Sequence, residues 1–77
     1  MGKHMSIEAL EQEIKELADE CTAKYNMECL EMSDALLTAW IISQLPQQHL
    51  NAFYWYQSRM LALFRQRVKE SINWLNI

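Results

Sequence analysis

Glycine is almost absent from the sequence. The 77 residues contain one, Gly2. Residues 1–4 are typical of an expression-tag remnant, which leaves residues 5–77 as a single expected domain without glycine. Loops that bind phosphate through the backbone need glycine for close approach, so a P-loop and a dinucleotide-binding loop are excluded. Tight hairpin turns also favour glycine, which argues against a β fold.

Other residues that interrupt helices are equally scarce. Pro46 is the only proline and Val68 the only valine, whereas Leu, Ala, Glu, Gln and Met dominate. Ser6 and Ser33 each precede an apolar periodic segment and suit helix N-caps, and Pro46 suits the first turn of a following helix. The sequence therefore predicts an all-α fold, a small three-helix domain with a long C-terminal helix. The predicted helices cover residues 6–26, 33–45 and 46–75, with a connector at residues 27–32. The apolar residues of the second helix point in nearly every direction, so we expect this helix to lie centrally, buried on more than one side.

Long hydrophobic runs are missing, and we expect no secretory leader. The purely apolar runs are at most five residues long, as at residues 60–64, whereas a membrane span needs about 20 residues. We therefore expect a cytoplasmic protein. Two thiols, Cys21 and Cys29, are eight residues apart. On one continuous helix they would lie about 12 Å apart, too far for a disulfide, and we expect both to be reduced.

The sequence offers little for catalysis. His49 is the only histidine of the expected native chain, and no spacing places it beside a cysteine or completes a structural zinc site. We expect no enzyme activity, no cofactor and no metal. His49 is expected to cap or pack near the start of the third helix, with a pH-sensitive interface position as the alternative.

The third predicted helix carries more apolar surface than one neighbour covers. Residues 53–56 are four consecutive aromatic residues, and on a helix they point in different directions. The apolar arc of the whole segment spans roughly 200°, about twice the usual core-facing stripe. The expected core of the domain is Ile14, Leu17, Cys21, Leu37, Trp40, Ile41, Phe53, Leu61, Phe64 and Val68.

A second copy of the chain is the simplest cover for the rest of this arc, because symmetric homodimers are the commonest assembly. A monomer whose first two helices cover the whole arc is the alternative. The residues expected at the chain–chain contact are Tyr54, Tyr56, Met60 and Leu63.

Trp55 falls on the polar side of the predicted helix, with Arg59 one turn later. An aromatic residue among Arg and Gln is typical of a binding hot spot, and Arg59 can stack on the indole. Packing of Trp55 under a loop or the N-terminal segment is the alternative. The expected partner-binding residues are Trp55, Arg59, Gln66 and Lys69. The predicted function is a non-catalytic protein–protein interaction module: an adaptor, inhibitor or regulatory subunit.

Charge is unevenly distributed along the chain. Residues 5–44 hold nine acidic residues and two lysines, and residues 45–77 hold four basic residues and one acid. The simplest consequence is an acidic first helix lying against a basic third helix. A nucleic-acid-binding regulator that uses the basic face is the alternative function, although the net charge of −3 argues against it. A membrane-surface role is less favoured still, because the polar face lacks continuous Lys and Arg.

Overall fold

The computed structural model describes residues 7–75, and the side chains among them except those of residues 26, 27 and 73–75. The predicted tag remnant and the Ser6 cap lie outside the described residues. Four α-helices and two short 3₁₀ segments follow one another without a strand in the described part, which confirms the all-α fold. The α-helices are α1 (Ile7–Tyr25), α2 (Asp34–Gln44), α3 (Leu50–Trp55) and α4 (Gln57–Leu75).

Helix α1 is amphipathic, as its apolar spacing predicts. Leu10, Ile14, Leu17 and Cys21 recur at intervals of three or four residues and are all buried. Such spacing keeps them on one face of a helix with 3.6 residues per turn. This face packs along α4, and the two 19-residue helices form the body of the domain.

The segment after α1 is not the irregular connector that the sequence suggests. It is a 3₁₀ helix, Asn26–Glu31, which packs against both α1 and α4. Helix α2 then begins as predicted, because the Ser33 hydroxyl accepts a hydrogen bond from the Leu36 N–H at 3.2 Å. The cap satisfies a backbone donor that the first turn of a helix leaves without a partner.

Helix α2 occupies a more peripheral position than its uniformly apolar sequence predicts. Leu37 and Ile41 are fully buried, but Leu36 is 58% exposed, and Ala35 and Ala39 are exposed as well. The expectation of a central helix buried on several sides is therefore wrong. The pairing of α1 with α4 occupies the centre, so α2 needs only one face against it.

The core agrees with the residues chosen from the sequence in nine of ten cases. The exception, Trp40, is partly buried and packs against the core, with its ring centroid 6.0 Å from that of Phe64 in an edge-to-face arrangement. The buried residues that were expected are Ile14, Leu17, Cys21, Leu37, Ile41, Phe53, Leu61, Phe64 and Val68.

The C-terminal helix is divided, which corrects the expectation of one continuous helix over residues 46–75. A 3₁₀ turn, Gln47–His49, follows Pro46, and α3 and α4 are separated at Tyr56. The backbone there has φ −117° and ψ 31°, well away from the helical ψ near −42°. Aromatic residues have lower helix propensity than Ala or Leu, so an interruption in the run at 53–56 costs less than one among strong helix formers.

Candidate functional site

The break at Tyr56 is held by contacts on both of its sides. The Tyr56 N–H donates to the carbonyls of Ala52 and Phe53, at 3.0 and 3.2 Å, a shared bond common at helix ends. The Tyr56 carbonyl accepts from the Met60 N–H at 2.9 Å, which starts α4. Beside the break, the Gln57 side-chain amide donates to the Thr38 hydroxyl at 3.2 Å and ties α4 to α2.

Three aromatic side chains are left at the surface by this arrangement. Tyr54, Trp55 and Tyr56, here called the aromatic patch, are 55%, 85% and 44% exposed, whereas the preceding Phe53 is fully buried. Tryptophan is highly buried on average in folded proteins, so an indole this exposed is informative. The patch lines a shallow depression of about 600 Å³ that continues to Arg59.

Arg59 reaches the edge of this depression but bonds elsewhere. Its guanidinium donates to a carboxylate oxygen of Glu11 at 2.9 Å and joins α4 to α1. The expected stacking of Arg59 on Trp55 is not among the ring contacts of the described residues, where the cation–π contact places Lys24 over Tyr25 at 5.9 Å. The break accounts for this, because the predicted stacking assumed an unbroken helix between residues 55 and 59.

The other two arginines of α4 are also paired with acidic residues. Arg65 bonds to Asp34 of α2. Arg67 donates two bonds to Asp19 of α1, at 2.9 and 3.0 Å. All three arginines therefore hold α4 against its acidic neighbours, as the internal interpretation of the charge asymmetry predicts.

Asp19 is the centre of a small polar network. Its carboxylate also accepts a bond from the Ser71 hydroxyl at 3.1 Å. The two hydrogen bonds from Arg67 are the main reason why the pKa of Asp19 lies below its ordinary value, with a smaller contribution from Ser71. The same contact raises the pKa of Arg67. Because hydrogen bonds to the ionised carboxylate favour that form, the network holds Asp19 charged.

The remaining predicted partner-binding residues lie apart from the aromatic patch. Gln66 and Lys69 are exposed, but Gln66 lines a separate depression of about 210 Å³ with Lys15 and Leu63. Lys69 is ten residues beyond Arg59, about 15 Å along a helix. The structure therefore brings Trp55 and Arg59 together and does not bring Gln66 or Lys69 to them.

The residues expected at a chain–chain contact are only partly exposed. Tyr54 and Tyr56 are exposed, and Leu63 is partly buried against the core. Met60 is fully buried within the single chain, which corrects its placement at a contact with a second copy. Met60 faces inward because it shares the buried face of α4 with Phe64 and Val68, which follow it at intervals of four residues.

A thiol pair is the feature that the sequence interpretation missed. The sulfur atoms of Cys21 and Cys29 are 2.8 Å apart, and both residues are buried. The separation of about 12 Å expected for one continuous helix does not apply, because α1 ends at Tyr25 and the 3₁₀ segment turns back. The predicted helix end between the two cysteines is the signal that could have indicated this proximity.

His49 is buried, and it packs rather than caps. It ends the 3₁₀ turn before α3, and its side chain makes no capping bond to that helix. Within the described residues its Nδ1 atom has no hydrogen-bond partner. A buried polar atom without a partner costs free energy, so this position is suboptimal for stability.

Groups suited to a metal ion or a membrane span are also absent from the described residues. Residues 7–75 contain no group of three or more His, Cys, Asp or Glu side chains placed to hold a metal ion. None of the helices in that range has the length and apolar character needed to cross a membrane.

Comparison with known proteins returns no match: no family model, curated protein or solved structure is significantly similar to the chain. The exposed aromatic patch, its depression and the surrounding ion pairs are therefore the features on which a functional interpretation depends.

Proposed function

We propose that the protein is a non-catalytic protein–protein interaction module that binds its partner through the aromatic patch. The observation that carries this proposal is the 85% exposure of Trp55 between two half-exposed tyrosines. Trp and Tyr are enriched among the residues that dominate binding free energy at protein interfaces. Their rigid rings provide a large contact area at little conformational cost.

The patch is available for binding because the core is filled by other residues. Phe53, Met60 and Phe64 fill the core on both sides of the break and are fully buried. An aromatic side chain buries 150–250 Å² when enclosed, and apolar burial is worth roughly 25 cal/mol per Å². Covering the exposed part of Trp55 alone would thus contribute on the order of 4 kcal/mol before the costs of association.

The shape of the exposed surface favours a compact contact over a long helix-to-helix dimer. The dimer was expected because the apolar arc of the C-terminal helix exceeded what its neighbours cover. Within one chain, however, Leu61, Phe64, Val68 and Ile72 are all buried. The aromatic patch is thus the main surface left for a contact on α3 and the start of α4, and homodimerisation through it stays a prediction.

The ion pairs reduce the support for nucleic-acid binding. Arg59, Arg65 and Arg67 each bond to an acidic side chain of the same chain. A phosphate would have to compete with these carboxylates for each guanidinium. Because phosphate contacts supply most of the affinity in non-specific binding, paired arginines favour a protein partner.

The experiment compares three forms of the protein: wild type, Trp55→Ala and Leu36→Ala. Leu36 is the matched control, because it is an exposed hydrophobic residue on a different helix, 58% accessible. A partner recovered with the wild type from cells that produce the protein is purified and titrated against all three. We expect Trp55→Ala to weaken binding at least tenfold, and Leu36→Ala to bind like the wild type.

Three results would contradict the proposed binding surface, the protein partner or the homodimer. Equal affinity of the wild type and Trp55→Ala would show that the patch is not the binding surface. A gel shift of mixed-sequence duplex DNA by the wild type at low salt would favour the nucleic-acid alternative. Light scattering at micromolar concentration measures the assembly, and a mass of 9.2 kDa, that of one chain, would contradict the homodimer.

A further inference from the structure

We propose that Cys21 and Cys29 are a redox-modifiable pair that forms an intrachain disulfide with a low-molecular-weight disulfide as oxidant. The pair is separate from the aromatic patch, and the proposal does not depend on the function proposed for that patch.

The fold brings the two sulfur atoms together from different elements. Cys21 lies in the buried stripe of α1, and Cys29 lies in the 3₁₀ segment that packs against α1 and α4. Their sulfur atoms are 2.8 Å apart, and a disulfide bond is about 2.05 Å long. Closing the bond therefore requires the atoms to approach by less than about 1 Å, which small torsional adjustments supply.

The surroundings exclude the other common uses of a thiol pair. Within residues 7–75, no third ligand completes a metal site with the two cysteines. Burial, followed by the contact with Cys29, raises the pKa of Cys21 to about 12, and a thiol that stays protonated is a poor nucleophile. The reaction that remains for two hydrogen-bonded thiols in an apolar core is their oxidation to a disulfide.

The reaction begins when the segment Asn26–Glu31 opens, because both thiols are buried in the folded chain. The exposed Cys29 thiolate attacks one sulfur of the oxidant RSSR, which forms a mixed disulfide and releases the first RS⁻. The opening also exposes Cys21 to water and relieves the burial that raises its pKa. The Cys21 thiolate then attacks the Cys29 sulfur and releases the second RS⁻. The protein loses two electrons and two protons, RSSR gains two electrons, and the protons end on two RSH molecules.

The disulfide should stabilise the fold, because it closes a short loop in the unfolded chain and the native fold already holds the two sulfur atoms 2.8 Å apart. The chain-entropy relation for an eight-residue loop corresponds to a rise in the melting temperature of about 10 °C or more for a domain of this size. Buried thiols also predict slow oxidation of the folded protein that accelerates in mild denaturant, where local opening is more frequent.

The test uses the whole chain refolded from denaturant in either reduced or oxidised glutathione. We expect the oxidised sample to lose the mass of two hydrogen atoms and to resist alkylation by iodoacetamide at both cysteines. We also expect no disulfide between two chains. Its circular dichroism should stay helical, and its melting temperature should exceed that of the reduced sample. Cys21→Ala and Cys29→Ala are the matched controls, and neither should gain stability in oxidised buffer.

Several results would overturn the proposal. These are two cysteines that both still react with iodoacetamide, a lasting glutathione adduct, a disulfide between two chains, and an oxidised form that melts lower than the reduced form. The mass and alkylation measurements use the wild-type chain alone. They remain decisive even if a cysteine variant fails to fold.

Discussion

Truncation of Phe64 to alanine removes the aromatic centre of the core. The Phe64 ring is fully buried and meets the Trp40 ring edge to face, with centroids 6.0 Å apart. A buried Phe→Ala change costs about 3–5 kcal/mol, because apolar burial is lost and a cavity remains. Loss of the aromatic pair is part of this cost and accounts for about 0.5–1.5 kcal/mol.

The size of this loss matters because the protein is small. At about 0.05–0.15 kcal/mol per residue, a chain of this length has a total free energy of unfolding of about 4–11 kcal/mol. Phe64→Ala would therefore remove between about a quarter and all of the stability. Phe64→Leu keeps much of the volume, so we expect its free energy of unfolding to fall between those of the wild type and Phe64→Ala.

Urea denaturation followed by far-ultraviolet circular dichroism measures these differences. Trp55→Ala is the informative comparison, because it also removes a large ring but from a position that is 85% exposed. We expect its free energy of unfolding to stay within about 0.5 kcal/mol of the wild type. A loss below about 1 kcal/mol for Phe64→Ala would refute the assignment of Phe64 to the core. A loss above about 1 kcal/mol for Trp55→Ala would refute the assignment of Trp55 to the surface.

Three further substitutions test the polar contacts. Because hydrogen bonds from Arg67 lower the pKa of Asp19 in the folded state, their stabilisation is present above pH about 4 and is lost as the pH falls through the folded pKa. Asp19→Asn should thus be less stable than the wild type at pH 7, by up to about 1 kcal/mol, and a gap that persists at pH 2 would contradict this. Ser33→Ala removes the cap on the Leu36 N–H and should cost about 1 kcal/mol; an unchanged urea midpoint would count against the cap. His49→Leu removes a buried nitrogen without a partner, so thermal melting should show equal or higher stability, and a clear loss would mean that the imidazole makes a stabilising contact.

The spacing of apolar residues was sufficient to predict burial where the orientation of a side chain depends only on its own helix. Leu17 and Cys21 follow from the stripe of α1, and Phe64 and Val68 follow from the spacing of α4, because a regular helix repeats every 3.6 residues. The pairing of acidic and basic helices followed from charge alone. Its particular partners, such as Arg67 with Asp19, required the relative placement of two helices.

The errors occur where neighbouring elements decide the outcome. A helical wheel drawn across residue 56 assumes a continuous helix, and neither proline nor glycine marks the break there. The same wheel counted Met60 as exposed apolar surface, although the chain itself encloses it. The composition of α2 predicted a central helix, yet its Leu36 is exposed because only one face of α2, with Leu37 and Ile41, packs against the core.

Composition and local periodicity were enough to predict that this protein is all-helical, that Ser33 caps α2, and which face of each long helix is apolar. These properties follow from composition and from the local repeat of the helix. Three features could be determined only from the folded chain: the break in the C-terminal helix at Tyr56, the exposure of Trp55, and the contact between Cys21 and Cys29. Each of these depends on how elements distant along the chain pack against one another, and burial of the shared core determines that packing.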